Sequence, residues 1–184
     1  DFCLSRGLGD VYKRQGNMSD VNITFTAEKL LYNYPVESHV YVMDRKSGEQ
    51  KVFEADSRFT KNVVEKCESG NYEQWERHNI ENPHFYDLMY LPQTGMYARL
   101  HLGGIEFDAT RDIQNLMDDR DLYLTFFDKD FVVVGEAKLP SHRYNYFTGW
   151  RETNDGVALF VDNSLDENEK TEELVLDIVR LQAD

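Results

Sequence analysis

Short apolar segments, each about the length of one β-strand, recur along this chain in sets of four, and the sets begin about 60 residues apart. The first set is "NITFT" (22–26), "KLLYNYP" (29–35), "HVYVMD" (39–44) and "EQKVFEA" (49–55). The second set is "FYDLMYLP" (85–92), "MYARLHL" (96–102), "LYLTFFD" (122–128) and "FVVVGEAKL" (131–139). The third set has three members, "YNYFTGW" (144–150), "VALFVD" (157–162) and "ELVLDIVRL" (173–181). A repeat of this kind predicts several small sheets of similar design.

Turn-forming residues separate the segments, such as "RKSG" after the third and Asn154-Asp155-Gly156 before the tenth. Aromatic residues make up 13% of the chain, which favours strands. The two longer intervals, 56–83 and 103–120, predict no more than a helical turn each. We therefore predict an all-β fold.

Four-stranded sheets at a fixed period are typical of a β-propeller. We predict a partial propeller of about three four-stranded antiparallel blades, at about 22–55, 84–139 and 144–181. A β-sandwich is the alternative, because it also has short strands at regular spacing. The third set is one strand short, as expected where a ring is closed by a strand from the other end of the chain. Three units would then be half of a six-bladed ring.

Residues 1–17 do not share this pattern. They carry Arg6, Lys13 and Arg14 in a chain whose net charge is −14, and they lack the apolar core of a signal peptide. Residues 5–15 resemble the translation of an adapter used in sequencing libraries. We treat 1–17 as a non-native leader, take 18–184 as the folded part, and expect the natural N-terminus to lie upstream.

Composition narrows the classes of partner. A net charge of −14 argues against nucleic acid and against anionic membrane surfaces, because both bind clustered Lys and Arg. No apolar run reaches the ~18 residues of a transmembrane helix. No phosphate-binding or dinucleotide-binding glycine motif is present, so we predict no cofactor.

Three segments resemble the six-bladed, TolB-like β-propeller lipoproteins of Bacteroides-type bacteria, a family of unknown function. They are "KLLYNYPVESHVYVMDRKSGEQKVFEADSRF", "FYDLMYLPQTGMYARL" and "LYLTFFDKDFVVVGEAKLPSHRYNYF". Tyr97 and Arg99 stand at the Tyr and Arg positions of the family's second segment, whereas Leu91 stands where an Asp is usual. The resemblance implies the C-terminal half of a cell-envelope lipoprotein, facing the periplasm or the outer surface. The lipid anchor would lie in the N-terminal half.

Aromatic residues and arginines in connecting segments are typical of binding surfaces. Our candidate binding residues are Tyr144, Tyr146, Trp150, Arg151, Trp75 and Arg99, accompanied by Tyr72 and Phe147. The alternative is that the aromatic rings pack as core at the ends of the sheets. We therefore predict a non-enzymatic recognition module whose partner is a protein or a glycan.

The alternative function is a hydrolase or lyase with carboxylates at an axial channel. Its candidate catalytic residues are Asp87, Glu152 and Asp155. No serine or cysteine nucleophile motif accompanies them, so an enzyme is the second choice.

One loop has the spacing of calcium ligands. Asp162, Ser164, Asp166, Asn168 and Glu173 occupy positions 1, 3, 5, 7 and 12 of an EF-hand-like loop. Glu167 stands where the sharp turn needs glycine, and predicted strands flank the loop. A solvated acidic loop is the simpler interpretation, and we predict no metal.

Overall fold

The computed structural model describes residues 21–65, 67, 71–147, 149–154, 156–166 and 173–181. This part of the chain forms eleven strands and two helices. The strands are β1 (Asn22–Phe25), β2 (Lys29–Asn33), β3 (Val40–Asp44), β4 (Gln50–Phe53), β5 (His84–Leu91), β6 (Met96–Leu102), β7 (Leu122–Phe127), β8 (Val133–Lys138), β9 (Trp150–Thr153), β10 (Gly156–Phe160) and β11 (Leu176–Val179). The helices are α1 (Tyr72–Glu81) and α2 (Ile113–Asp118).

The strands form three antiparallel sheets, and within each sheet they follow one another in chain order. The first sheet is β1-β2-β3-β4, the second is β5-β6-β7-β8, and the third is β9-β10-β11. Each sheet is therefore a meander, and most neighbouring strands are joined by short turns, as the alternating segments and turn residues predict. The exceptions are the β6–β7 connection, which contains α2, and the longer connection between β10 and β11. The prediction of an all-β fold is confirmed.

The second sheet lies between the other two. One side of it packs on the first sheet through a cluster that includes Leu31, Val40 and Phe127. Its other side packs on the third sheet through Leu100, Leu124 and Val157, among others. Strands covered on both faces need apolar residues at almost every position, and every residue of β7 is buried.

Two segments differ from the prediction. The segment 144–150 becomes a strand only at Trp150; before it, Tyr144 makes an isolated bridge with Val161 and the backbone turns. The interval 56–83 contains α1, a helix of ten residues rather than a single turn. Asn71 caps α1 by accepting a hydrogen bond from the Gln74 N–H. Neither helix, within the part of the chain that is described, is long or apolar enough to cross a membrane.

Alternation along β6 places two polar side chains between the first and second sheets. Ala98, Leu100 and Leu102 belong to the cluster that faces the third sheet. Arg99 and His101, on the opposite face, are almost completely buried. They share this interface with other buried polar side chains, among them Thr125 on β7 and Asn33 on β2, whose amide donates to the carbonyl oxygen of Tyr86.

Arg99 ties the first sheet to the second. Its guanidinium donates hydrogen bonds to the carbonyl oxygens of Ser38 at 2.8 Å and Ala55 at 2.7 Å. The same group lies over the rings of Phe85 and Phe127, at 4.8 and 5.4 Å from their centres. Burial lowers the pKa of Arg99 to about 9, so it remains a cation at neutral pH.

His101 has no comparable partners. Its ring stacks on Phe85 and Tyr123, with centroids 5.2 and 5.0 Å apart. Neither ring nitrogen has a hydrogen-bond partner among the described residues. Burial, assisted by the charge of Arg99, lowers the pKa of His101 to about 3, so the imidazole is neutral and carries two unsatisfied polar atoms.

His101→Phe should therefore stabilise the fold. It keeps the aromatic stack and removes unsatisfied polar atoms, so we expect the free energy of unfolding at pH 7 to rise by about 1 kcal/mol. The unfolded chain takes up the His101 proton below about pH 6.5, whereas the folded chain does so only near pH 3. The wild type should consequently lose more stability than the variant as the pH falls from 6.5 towards 3. Urea unfolding at pH 7 and pH 5 measures both effects.

His39→Gln is the control, because the side chain of His39 is 31% exposed. The His39→Gln variant retains His101, so its free energy of unfolding should fall between pH 7 and pH 5 as it does in the wild type. A less stable His101→Phe variant, or one with the acid sensitivity of the wild type, would contradict this account of His101.

The outer faces of the first and third sheets carry exposed apolar side chains. Ile23 and Phe25 on β1 are 53% and 67% exposed, and Leu176 and Ile178 on β11 are 53% and 45% exposed. Exposed strands of this kind favour association. We expect residues 18–184 to self-associate despite the net charge, giving sedimentation coefficients that rise with protein concentration. Phe25→Lys and Leu176→Lys should reduce the effect, and a concentration-independent monomer would contradict the prediction.

Candidate binding cavity

A cavity of about 550 Å³ opens between α1, the start of β5 and the loop that precedes β9. Six aromatic side chains line it: Tyr72, Trp75, Tyr86, Tyr146, Phe147 and Trp150. We call it the aromatic cavity. Its volume falls within the roughly 300–1,000 Å³ of small-molecule sites.

Helix α1 forms one wall. The cap at Asn71 fixes where the helix begins, and the helical repeat then brings Tyr72, Trp75 and Asn79 to the same side. The rings of Tyr72 and Trp75 lie 5.4 Å apart. This wall is attached to the fold at its C-terminal end, where Ile80 is the helix residue that is buried.

The loop before β9 forms the facing wall. Asn145 turns the chain by accepting a hydrogen bond from the Phe147 N–H at 2.8 Å. Gly149, with φ of +92°, then directs the chain into β9, and its carbonyl accepts from the Phe160 N–H at 2.7 Å. The next residue, Trp150, is thereby placed at the cavity.

Strand β5 holds this loop in place. The Tyr86 hydroxyl donates to the carbonyl oxygen of Tyr146, and the Tyr86 ring lies 4.6 Å from the ring of Trp150. Trp150 Nε1–H donates to Asp87 Oδ1 at 3.4 Å. A carboxylate therefore lies beside a pair of packed aromatic rings, which gives the wall both an apolar face and a hydrogen-bond acceptor.

The floor of the aromatic cavity contains Arg120 and His84. Arg120 donates to the carbonyl oxygens of Gly103, Asn79 and Asn82 at 2.8, 3.0 and 2.6 Å. Asn79 and Asn82 lie at the C-terminal end of α1, where the helix dipole favours a cation. Burial lowers the pKa of Arg120 to about 10, so the group is charged at neutral pH.

His84 is neutral at the same pH. Burial, assisted by the charge of Arg120, lowers the pKa of His84 to about 4. Its ring packs 4.8 Å from that of Tyr86. Burial also raises the pKa of Tyr86. The floor therefore presents one cation, one neutral imidazole and one neutral phenol.

The structure brings three of the candidate binding residues to this cavity and places three elsewhere. Trp75, Tyr146 and Trp150 line it. Tyr144 packs in the core beside the third sheet, with its hydroxyl donating to Asp177 Oδ2 at 2.9 Å. Arg151 is exposed on β9 and is not part of the lining. Arg99 is the buried link between the first two sheets, so it is not available to a ligand in this cavity.

The three candidate catalytic carboxylates are not all brought together. Asp87 lines the aromatic cavity, whereas Glu152 is exposed on β9 outside the lining. Asp155 lies outside the described residues. The only other lining carboxylate among the described residues is that of Glu76, on α1.

The calcium loop is only partly described. Ser164 donates its hydroxyl hydrogen to the Asp118 carboxylate, and Asp162 accepts from Asn145 Nδ2 at 3.2 Å. Where the structure describes the chain, no three Asp, Glu, His or Cys side chains form a group that could hold a metal ion. Asn168 lies outside the described residues, so the interpretation of 162–173 as a solvated acidic loop without a metal stays a prediction.

Sequence reasoning missed the floor of the cavity. His84 and Tyr86 belong to a segment whose pattern predicts a strand. That pattern does not show that the first residues of the strand, unlike the later ones, line a cavity. Arg120 stands in the run "DDRD", which is typical of a solvated turn. That run therefore carries no signal that Arg120 is buried.

Gly149→Ala should displace Trp150. A side chain at φ of +92° is strained, and its Cβ would lie 2.6 Å from the Phe160 Cβ. Gly48→Ala is the matched control, since Gly48 has φ of +73° with nothing within 4 Å of the added atom. We expect Gly48→Ala to cost about 1 kcal/mol of unfolding free energy and Gly149→Ala to cost more. Only Gly149→Ala should shift the tryptophan emission, and equal losses in the two variants would contradict the proposed contact with Phe160.

Comparison with known proteins gives the family and the fold. The chain resembles a member of the DUF4221 family from Bacteroides vulgatus whose crystal structure is known, with a TM-score of 0.72, 19% sequence identity and 86% of this chain covered. The chain spans 44% of the length of that protein. No curated protein matches the chain. Residues 5–138 match the family described as a domain of unknown function (DUF4221), and the match begins within the leader that the sequence pattern sets apart. The chain belongs to the DUF4221 family.

Proposed function

We propose that this chain is a non-enzymatic recognition module that binds a saccharide in the aromatic cavity. The observation that carries the proposal is the arrangement of Trp150, Tyr86 and Asp87, in which two packed rings lie beside a carboxylate. A sugar ring has an apolar face of C–H groups and an edge of hydroxyls. Rings can cover its face while polar side chains hydrogen-bond its edge.

The shape of the site favours a sugar over a protein partner. A protein partner usually covers a surface of about 800 Å² on each side, whereas here the aromatic residues surround a concave space. Asn79 and His84 add polar side chains to the lining. Hydroxyl groups can both donate to and accept from such groups.

For the scaffold, we propose a partial β-propeller. Two features support it over a β-sandwich. The middle sheet is covered on both faces by separate sheets, whereas a sandwich has two sheets in all. The first strands of the three sheets also lie together, since β5 contacts both β1 and β9. Inner strands of neighbouring blades meet in this way around a propeller axis.

For the location, we propose the cell envelope, with the full-length protein anchored as a lipoprotein. The support is the sequence resemblance described above, together with the Bacteroides vulgatus relative. The coding sequence upstream of residue 18 tests this proposal. A signal peptide with a lipobox cysteine would support it, and an initiation codon at Met18 would contradict it.

Removing aromatic side chains from the cavity should weaken saccharide binding. Phe147 and Phe25 form a matched pair, because they are 77% and 67% exposed but only Phe147 lines the cavity. We expect Phe147→Ala to weaken binding and Phe25→Ala to leave it unchanged. Trp150→Ala should lose about 2 kcal/mol or more of binding free energy, as buried aromatic anchors do.

The measurement is an oligosaccharide array on the wild type, followed by calorimetric titration of each variant with the best ligand. Equal affinities for Phe147→Ala and Phe25→Ala would contradict the site. The oligosaccharides of the array are also assayed for cleavage. Cleavage by the wild type that is abolished in Asp87→Asn would show that the protein is an enzyme and would contradict the non-enzymatic proposal.

A further inference from the structure

We infer that the saccharide carries a carboxylate, as a uronic acid does, and that Arg120 binds it at the floor of the aromatic cavity. This inference rests on the proposed function. It concerns one lining residue whose positive charge has no negative partner in the described part of the chain.

Arg120 is buried and has one donor to spare. A guanidinium has five N–H groups. The Nε–H group donates to the carbonyl oxygen of Gly103. The two hydrogens of Nη1 are directed to the Asn79 carbonyl oxygen and to Met117 Sδ, the latter at 3.6 Å. Nη2 makes one hydrogen bond, to Asn82, so one of its two hydrogens has no partner among the described residues.

The other buried arginine among the described residues provides a comparison. Arg99 is also held by two backbone carbonyls, but the negative charges of Asp56 and Glu136 favour its charged form. The groups that act on Arg120 in this way are the phenols of Tyr86 and Tyr146, and burial raises the pKa of both, so they are neutral at pH 7. Among the described residues no carboxylate lies within 4 Å of the Arg120 guanidinium.

A ligand carboxylate would supply the missing charge. Buried cations are normally paired because desolvation of an isolated charge is costly. Arg99 also lacks a carboxylate within ion-pair distance among the described residues, and its Nε–H has no partner there. It does not line the cavity, however, whereas Arg120 does. Of these two buried cations, Arg120 is therefore the one that a ligand carboxylate in the cavity can reach.

His84 adds a second donor at the same place. Its ring nitrogens make no hydrogen bond with the described residues, and the neutral ring can donate one N–H. The carboxylates of Asp87 and Glu76 also line the cavity, which disfavours a ligand that is negatively charged throughout. These charges together specify a sugar with one carboxylate directed to the floor rather than a sulfated or polyanionic chain.

The test compares saccharides that differ in one group. Oligosaccharides ending in glucuronic or galacturonic acid are each paired with the carboxylate-reduced sugar, and both members are titrated against the wild type by tryptophan fluorescence. We expect the acid of the preferred pair to bind about tenfold more tightly or better, as a charge-assisted hydrogen bond allows. Equal or tighter binding of the neutral member would overturn the inference and leave saccharide recognition standing. Binding of neither member in any pair, or in the wider array, would overturn both.

Two variants assign the preference to the floor. Arg120→Gln should abolish the preference for the acid, and Arg111→Gln is the control because Arg111 pairs with Asp119 outside the cavity. Arg120 also holds the end of α1, so thermal unfolding accompanies each titration. His84→Phe keeps the ring stack and removes the N–H, and it should reduce affinity for the acid without changing affinity for the neutral sugar. An undiminished preference in a folded Arg120→Gln variant, or in His84→Phe if Arg120→Gln does not fold, would overturn the assignment.

Discussion

Burial of the second sheet on both faces is the constraint on which the other features depend. Because β6 and β7 are enclosed, their side chains have to pack against the first sheet on one side and against the third sheet on the other. The alternation of β6 shows this directly, with Leu100 directed to one neighbour and Arg99 to the other. A shift of register by one residue would exchange the two sets. The polar pair on β6 therefore makes the register of this strand costly to change.

The same constraint creates the cavity. Strand β5 begins the enclosed sheet, and its first residues emerge from the core at the place where α1 and the loop before β9 approach each other. Tyr86 and Asp87 lie where the pairing of β5 with β6 is interrupted, between Phe85 and Leu88, and both line the site. The hydrogen bonds of Tyr86 with Tyr146 and of Asp87 with Trp150 attach the loop before β9 to the second sheet. A binding site supported in this way requires little ordering when a ligand enters.

Prediction from the sequence was most accurate where a hydrophobic pattern is compatible with a single type of secondary structure. Segments such as "VALFVD" alternate, are bounded by turns and form strands. "YNYFTGW" is also rich in residues that favour strands, yet Asn145 accepts a hydrogen bond from the Phe147 N–H, and residues 145–147 form a loop. Helix α1 was missed because it is mostly polar and buries little. Reasoning from aromatic residues in loops identified Trp75, Tyr146 and Trp150 as cavity residues. It could not separate them from Tyr144, which is buried in the core and donates to Asp177 on β11, a contact between residues far apart in the sequence.

Helix α1 contributes a wall of the cavity while burying little more than Ile80 in the core. Its other residues are exposed or half-buried, so the packing of the core constrains them less than it constrains the sheets. Substitutions along its cavity face can therefore alter the shape and polarity of the site at less cost to folding than substitutions in the sheets, provided that Ile80 and the hydrogen bonds from Arg120 are kept. Helix α1 is thus the element of this fold whose side chains can change the lining of the cavity most readily while the three sheets stay the same.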